Sequence, residues 1–160
     1  MRTMVTTLVL AGCLASPAVG FQSRGATAAT GDPALRACSI LTKDMVAPFT
    51  ANKQVLDLFP PEQEPRGQFG SACEYGVVRL QIRSVRADSP RTAPAKEWQP
   101  VSGAGETAYF RSNGTQYAEL MFWAGTHYLT LQVGVPTGST PEAIKPNTIA
   151  LANAILAKLR

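Results

Sequence analysis

The stretch VSGAGETAYF, residues 101–110, holds an arrangement that could cradle a phosphate. Gly103, Gly105 and Ala108 follow the spacing G-x-G-x-x-A of dinucleotide-binding loops. That chemistry needs a buried parallel strand before the glycines and a helix N-terminus after them, where backbone N–H groups meet the pyrophosphate. The preceding Glu97-Trp98-Gln99-Pro100 does not read as a buried strand, and Thr107–Arg111 reads as a strand, not a helix. The two glycines are therefore expected to let the chain turn sharply into that strand. No cofactor is expected.

Other chemistry is sparse. His127 is the single histidine, and the alternation around it places it on an apolar strand face. No G-x-S-x-G elbow is present to offer a serine nucleophile. Zinc needs three or four Cys, His or carboxylate ligands together, and one histidine with three cysteines of other expected roles falls short. Glu62 and Glu64 lie two apart in a Pro-rich segment, which reads as a solvated loop rather than an acid pair. What catalytic reading remains is a small envelope hydrolase using His127 with a carboxylate.

Charge narrows the partners. Fifteen Lys and Arg face eleven Asp and Glu, and no three basic residues adjoin. A phosphate-backbone footprint needs clustered cations, so nucleic acid is not an expected partner. Apolar residues make up 45% of the chain against 16% charged, enough for a packed core and too little charge for a disordered one.

The N-terminus indicates export. Arg2 is followed by a mostly apolar run from Met4 to Leu14, well short of the ~20 residues that span a bilayer. Two readings fit. Leu10-Ala11-Gly12-Cys13 matches a bacterial lipobox, with residues 1–12 removed and the Cys13 thiol acylated. Alternatively, residues 1–20 form an ordinary signal peptide cut after Gly20, with Ala18 at the minus-three position. The first reading gives contact with a membrane through a lipid anchor only; the second gives a secreted chain. Either way the protein sits on the periplasmic or extracellular side, where disulfides persist. Either way Cys13 is used or lost, so Cys38 and Cys73 are expected to pair.

Residues 21–31 are small and polar and read as a flexible tether, leaving residues 32–160 as a single α+β domain. Asp32-Pro33 caps a first helix, and Thr42 caps a second that Pro48 should end. Residues 50–71 read as a long loop with one helical turn near Gln54–Leu58. Val78, Leu80 and Ile82 then alternate with Arg79, Gln81 and Arg83 as a half-buried strand. After a Pro-rich connection at 87–100, three strands follow as an antiparallel meander, over Thr107–Arg111, Gln116–Trp123 and Thr126–Val135. The phase of Ala108 and Phe110 calls for a three-residue turn with Gly114 left-handed. A two-residue turn at 124–125 would set Phe122 by His127, Leu120 by Leu129 and Glu119 by Thr130. Last comes a helix over Pro146–Leu159, with Thr148, Leu151, Ala152, Ile155 and Leu159 as its apolar stripe. Pro146 is expected to break or kink any helix starting at Thr140.

The segments Cys38-Ser39-Ile40-Leu41-Thr42, Cys73-Glu74-Tyr75 and residues 101–110, then the Ala- and Leu-rich terminal helix, share an order with a known family. The chain resembles bacterial secreted lipoproteins of the pattern Cys-x-Leu-Leu-Thr, Cys-x-Tyr or Trp, Gly-x-Gly-Asp-x-Ala-Tyr. These are similar to the extracytoplasmic sensor domain of the mycobacterial kinase PknH. The likeness covers about residues 32–160 and departs at Glu106, where the pattern carries Asp. It implies an antiparallel sheet packed on helices, a Cys38–Cys73 bridge, and binding or sensing without catalysis.

One surface remains. The strand alternation turns Arg79, Arg83, Tyr109, Arg111, Tyr117, Met121, Trp123 and Tyr128 away from the core. Aromatics with arginines on an open sheet face compose a recognition surface for a small molecule or an envelope protein. The same residues could instead be roofed by the 50–71 loop or the 87–100 connection. The expected function is thus an envelope protein that binds or senses a ligand or partner; a structural envelope lipoprotein is the further alternative.

Overall fold

The computed structural model describes residues 36–65 and 70–159. The segments 1–20 and 21–31, Cys13 and the helix start at Asp32-Pro33 lie outside the described residues. The helical N-terminal part comprises α1 (Ala37–Ile40), α2 (Lys43–Val46), a 3-10 turn (Ala47–Phe49) and α3 (Val55–Leu58). Strands β1 (Glu62–Pro65), β2 (Gly70–Tyr75), β3 (Val78–Ser84), β4 (Gln99–Val101), β5 (Thr107–Asn113), β6 (Tyr117–Ala124) and β7 (His127–Gly134) follow. Helix α4 (Pro141–Lys158) closes the chain. The strands form one antiparallel sheet in the order β1-β2-β3-β7-β6-β5-β4, with helices against one face: the expected α+β class.

The period-two pattern decides which face is packed. Val78, Leu80 and Ile82 of β3, Leu129, Leu131 and Val133 of β7, and Leu120 and Phe122 of β6 are buried on the helix side. Ile144, Leu151, Ala152 and Ile155 of α4 close over them, as the apolar stripe predicts. Ala37, Ile40, Val46, Phe49 and Leu56 cover the β2–β3 end. The Cys38–Cys73 disulfide ties α1 to β2 across a separation of 35 residues. The expected pairing is therefore present.

Four local readings need correction. First, α4 starts at Pro141 and runs through Pro146. Thr140 caps it, its hydroxyl accepting the Ala143 N–H at 3.2 Å. Pro146 costs one helical hydrogen bond near the helix start, to the carbonyl of Glu142; both residues are exposed, so water reaches the vacated site. Second, Pro48 does not stop the helical path; the chain tightens into the 3-10 turn, where Pro fits an early position. Thr42 does precede α2, but its side chain makes no cap bond.

Third, the helical turn expected near Gln54–Leu58 is present as α3, but the 50–71 and 87–100 segments, read as loops without strands, also contribute edge strands, β1 and β4. Pro65 and Pro100 lie in them, and proline is tolerated in a sheet only at an edge or strand end. Fourth, the last hairpin is displaced. Its turn is Gly125-Thr126, which pairs Ala124 with His127, Phe122 with Leu129, Leu120 with Leu131 and Glu119 with Gln132. Gly125 takes φ +57° at the first turn position, the demand of a hairpin turn that matches strand twist. Relative to the expected register every pair moves by two residues. An even shift keeps each side chain on its face, so alternation alone could not choose between them. The preceding turn is Gly114–Gln116, three residues with Gly114 left-handed at φ +62°, as the phase of Phe110 requires.

Candidate functional site

Residues 102–106 link the edge strand β4 to β5 as a hairpin loop, and no helix follows. Gly103 and Gly105 both hold positive φ, +88° and +63°. At Gly105 an added Cβ would sit 2.4 Å from the Trp123 carbonyl oxygen. The same carbonyl accepts the Glu106 N–H at 2.9 Å. Gly105 thus serves a close approach of the loop to β6, and the G-x-G-x-x-A spacing leads into a strand instead of a helix N-terminus.

The outward face of the sheet is organised by one polar row. Glu74, Arg79, Gln132, Glu119 and Arg111 are successive cross-strand neighbours on β2, β3, β7, β6 and β5. At its centre Glu119 is only 7% exposed. A buried carboxylate must be fully paired to be tolerated. Arg111 Nε donates to it at 2.5 Å, Asn113 Nδ2 at 2.9 Å and Gln132 Nε2 at 3.3 Å. At the other end the Arg79 guanidinium donates to Glu64 at 2.7 Å and to Glu74 at 3.1 Å. Arg79 Nε is buried with no hydrogen-bond partner among the described residues, a rare condition in folded proteins.

On one side of this row the face is roofed. Trp98, from the 87–100 connection, buries Met121 and Trp123, with Val85, Ala93, Tyr109 and Tyr128 packed around them. Trp123 is 5% exposed; Tyr109 meets it edge-on at 6.2 Å and Tyr128 at 5.0 Å between ring centroids. Arg111 lies over the Trp98 ring at 4.6 Å and donates to Glu97 at 3.3 Å. Arg91 pairs with Glu106 and donates to the Gly125 carbonyl at 3.1 Å, and Tyr109 donates its hydroxyl to the Arg91 carbonyl. So of the expected surface residues, Met121 and Trp123 form a second core beneath the connection, with Tyr109 and Tyr128 half-buried against it and Arg111 stacked on Trp98. Arg83 stays exposed at the strand end.

On the other side the face is open. A cleft of about 860 Å³ runs between the β2–β3 turn, the β5–β6 turn and the β7–α4 connection. Arg79 and Tyr117 reach it from the expected surface set; Glu74, Gln116, Gln132 and Ser139 join them. Tyr117 is 39% exposed and Val77 42%, so apolar surface borders polar groups there. Sequence reading missed the cleft because three separate turns build it. It missed the polar row because the displaced hairpin set Glu119 beside Thr130 instead of Gln132. Trp98, a large aromatic inside a Pro-rich connection, was the available signal for the roof.

His127 occupies the opposite end of the sheet. It keeps the core-facing parity but stands at the strand end, opposite Ala124, and not beside Phe122. A second cleft, about 720 Å³, joins it to Gly103, Glu106, Asn153 and Leu156. Glu106 there accepts the Gly125 N–H at 2.8 Å, and Asn153 Nδ2 donates to the Gly103 carbonyl at 2.6 Å. The His127 side chain makes no hydrogen bond among the described residues, while its backbone pairs with Ser84 of β3 and Ala124 of β6. Among the described residues no three His, Cys, Asp or Glu side chains gather as a metal set. No helix among them is long and apolar enough to cross a membrane.

A scan against protein-family models finds no match, and searches of curated proteins and of solved structures find none either.

Proposed function

We propose that this chain is an exported envelope protein, lipid-anchored through Cys13, whose 32–160 domain binds a ligand or partner without catalysing a reaction on it. The observation that carries the reading is the open cleft bordered by Arg79, Gln132 and Tyr117. Concave sites that mix a few placed polar groups with apolar surface are the usual ligand sites of folded domains. The disulfide suits an oxidising compartment. The resemblance to secreted lipoproteins and to a sensor domain points the same way. Roofing of the aromatic half of the sheet narrows the candidate surface to the cleft and Arg83.

Native mass spectrometry of the full chain isolated from its cell envelope tests the binding role. The wild type should carry a co-purifying adduct that Tyr117→Ala loses while keeping its fold. An adduct-free wild type, or an adduct unaffected by Tyr117→Ala, would contradict the reading. The anchor has a separate test: radiolabelled palmitate should enter the wild type and not Cys13→Ser, and equal labelling would rule the anchor out.

A further inference from the structure

We propose that the cleft takes a neutral, polyhydroxylated ligand, a saccharide, with one sugar face laid on the Tyr117 ring. This rests on the binding role argued above and names the chemistry of the same site. Charge comes first. Among the described residues the guanidinium bordering the cleft is that of Arg79, and it already serves two carboxylates, Glu64 and Glu74. With both carboxylates ionised, the local balance is negative. A phosphate, sulfate or carboxylate ligand would meet a cation already paired to two carboxylates, one of which, Glu74, lines the cleft and repels it.

The hydrogen-bonding inventory comes second. Gln116 and Gln132 line the cleft with amides, and Thr115, Thr137 and Ser139 line it with hydroxyls, each a donor and an acceptor. Glu74 is half-exposed there and, ionised, can only accept. A ligand rich in hydroxyls, each giving and taking one bond, satisfies that mixture; a ligand of acceptors alone does not. Shape comes third. Tyr117 is exposed at a sheet end as a flat amphipathic surface, suited to the apolar C–H face of a sugar ring. A peptide adding itself as a strand needs a free sheet edge, and proline blunts both, at Pro65 and Pro100.

Saturation-transfer NMR on the full chain in detergent tests the proposal with cellotetraose, maltotetraose and tetra-N-acetylchitotetraose, against methyl phosphate and a sulfated tetrasaccharide. At least one neutral probe should receive saturation at its ring C–H protons, and neither anion should bind. Tyr117→Phe should keep the affinity and Tyr117→Ala should lower it about tenfold, since the ring and not the hydroxyl makes the platform. No transfer to any neutral probe, equal binding by Tyr117→Ala, or binding of the anions instead would overturn the proposal. If the neutral probes fail while the native adduct persists, the ligand class is wrong and the binding role stands. If both fail, both are wrong.

Discussion

Replacing Gly105 by Ala, with Gly114→Ala as its control, separates two reasons for a glycine. Both positions hold nearly the same left-handed backbone, φ +63° and +62°. Alanine there costs about 1–2 kcal/mol, partly offset by about 0.4–1 kcal/mol from a less flexible unfolded chain. At Gly114 nothing lies within 4 Å of the added Cβ, so that net of roughly 1 kcal/mol should be the whole effect. At Gly105 the Cβ would stand 2.4 Å from the Trp123 oxygen, a backbone atom that no rotamer change can move. Relief requires the 102–106 loop to lift from β6, straining packing by about 1–3 kcal/mol. Lifting also loosens the Glu106–Trp123 backbone bond, worth about 1 kcal/mol. Urea unfolding should therefore show Gly105→Ala destabilised by roughly 2–4 kcal/mol more than Gly114→Ala, with equal m-values. Equal losses at the two sites would refute the close approach as the reason for Gly105.

Removing the bridge with Cys38→Ser and Cys73→Ser should cost about 4 kcal/mol from the 35-residue loop, read as a fall in the urea midpoint. Trp98→Ala should cost about 3 kcal/mol and unroof Trp123, whose fluorescence should shift to the red; an unchanged spectrum would show that the connection does not cover that face. The Asp57 hydrogen bond raises the Lys43 pKa above its ordinary 10.5. A raised pKa in a cation adds stability that is whole below the unfolded value and fades as pH climbs through the folded one. Lys43→Met should thus be less stable than wild type near neutral pH, and the gap should close above pH 10.5; a gap that widens there would contradict the pairing.

The parts of the fold that sequence reading captured rest on strong periodicity. The alternation of Val78, Leu80 and Ile82, the inward phase of Ala108 and Phe110, and the stripe Thr148–Leu151–Ile155 each have one low-energy way to bury themselves. What failed depended on choices that periodicity does not see. A two-residue shift of the β6–β7 hairpin leaves both faces intact, and the backbone demand at Gly125 decides it. Strands β1 and β4 are short and hold prolines, so propensity argues against them while the neighbouring strands recruit them. The surface residues were placed on the correct face, but Trp98 lies far along the chain from Trp123, and only the folded connection brings it over that face. The cleft likewise depends on three turns whose meeting no local pattern encodes.

We propose the cleft between the β2–β3, β5–β6 and β7–α4 connections as the place where this protein meets its ligand. A ¹⁵N–¹H spectrum of the full chain, recorded with and without a small-molecule extract of the cell envelope, measures it directly. Shifts should gather at Thr115, Gln116 and Tyr117 and along Gln132–Ser139. Shifts gathered instead around Gly103, His127 and Asn153, or none at all, would contradict it.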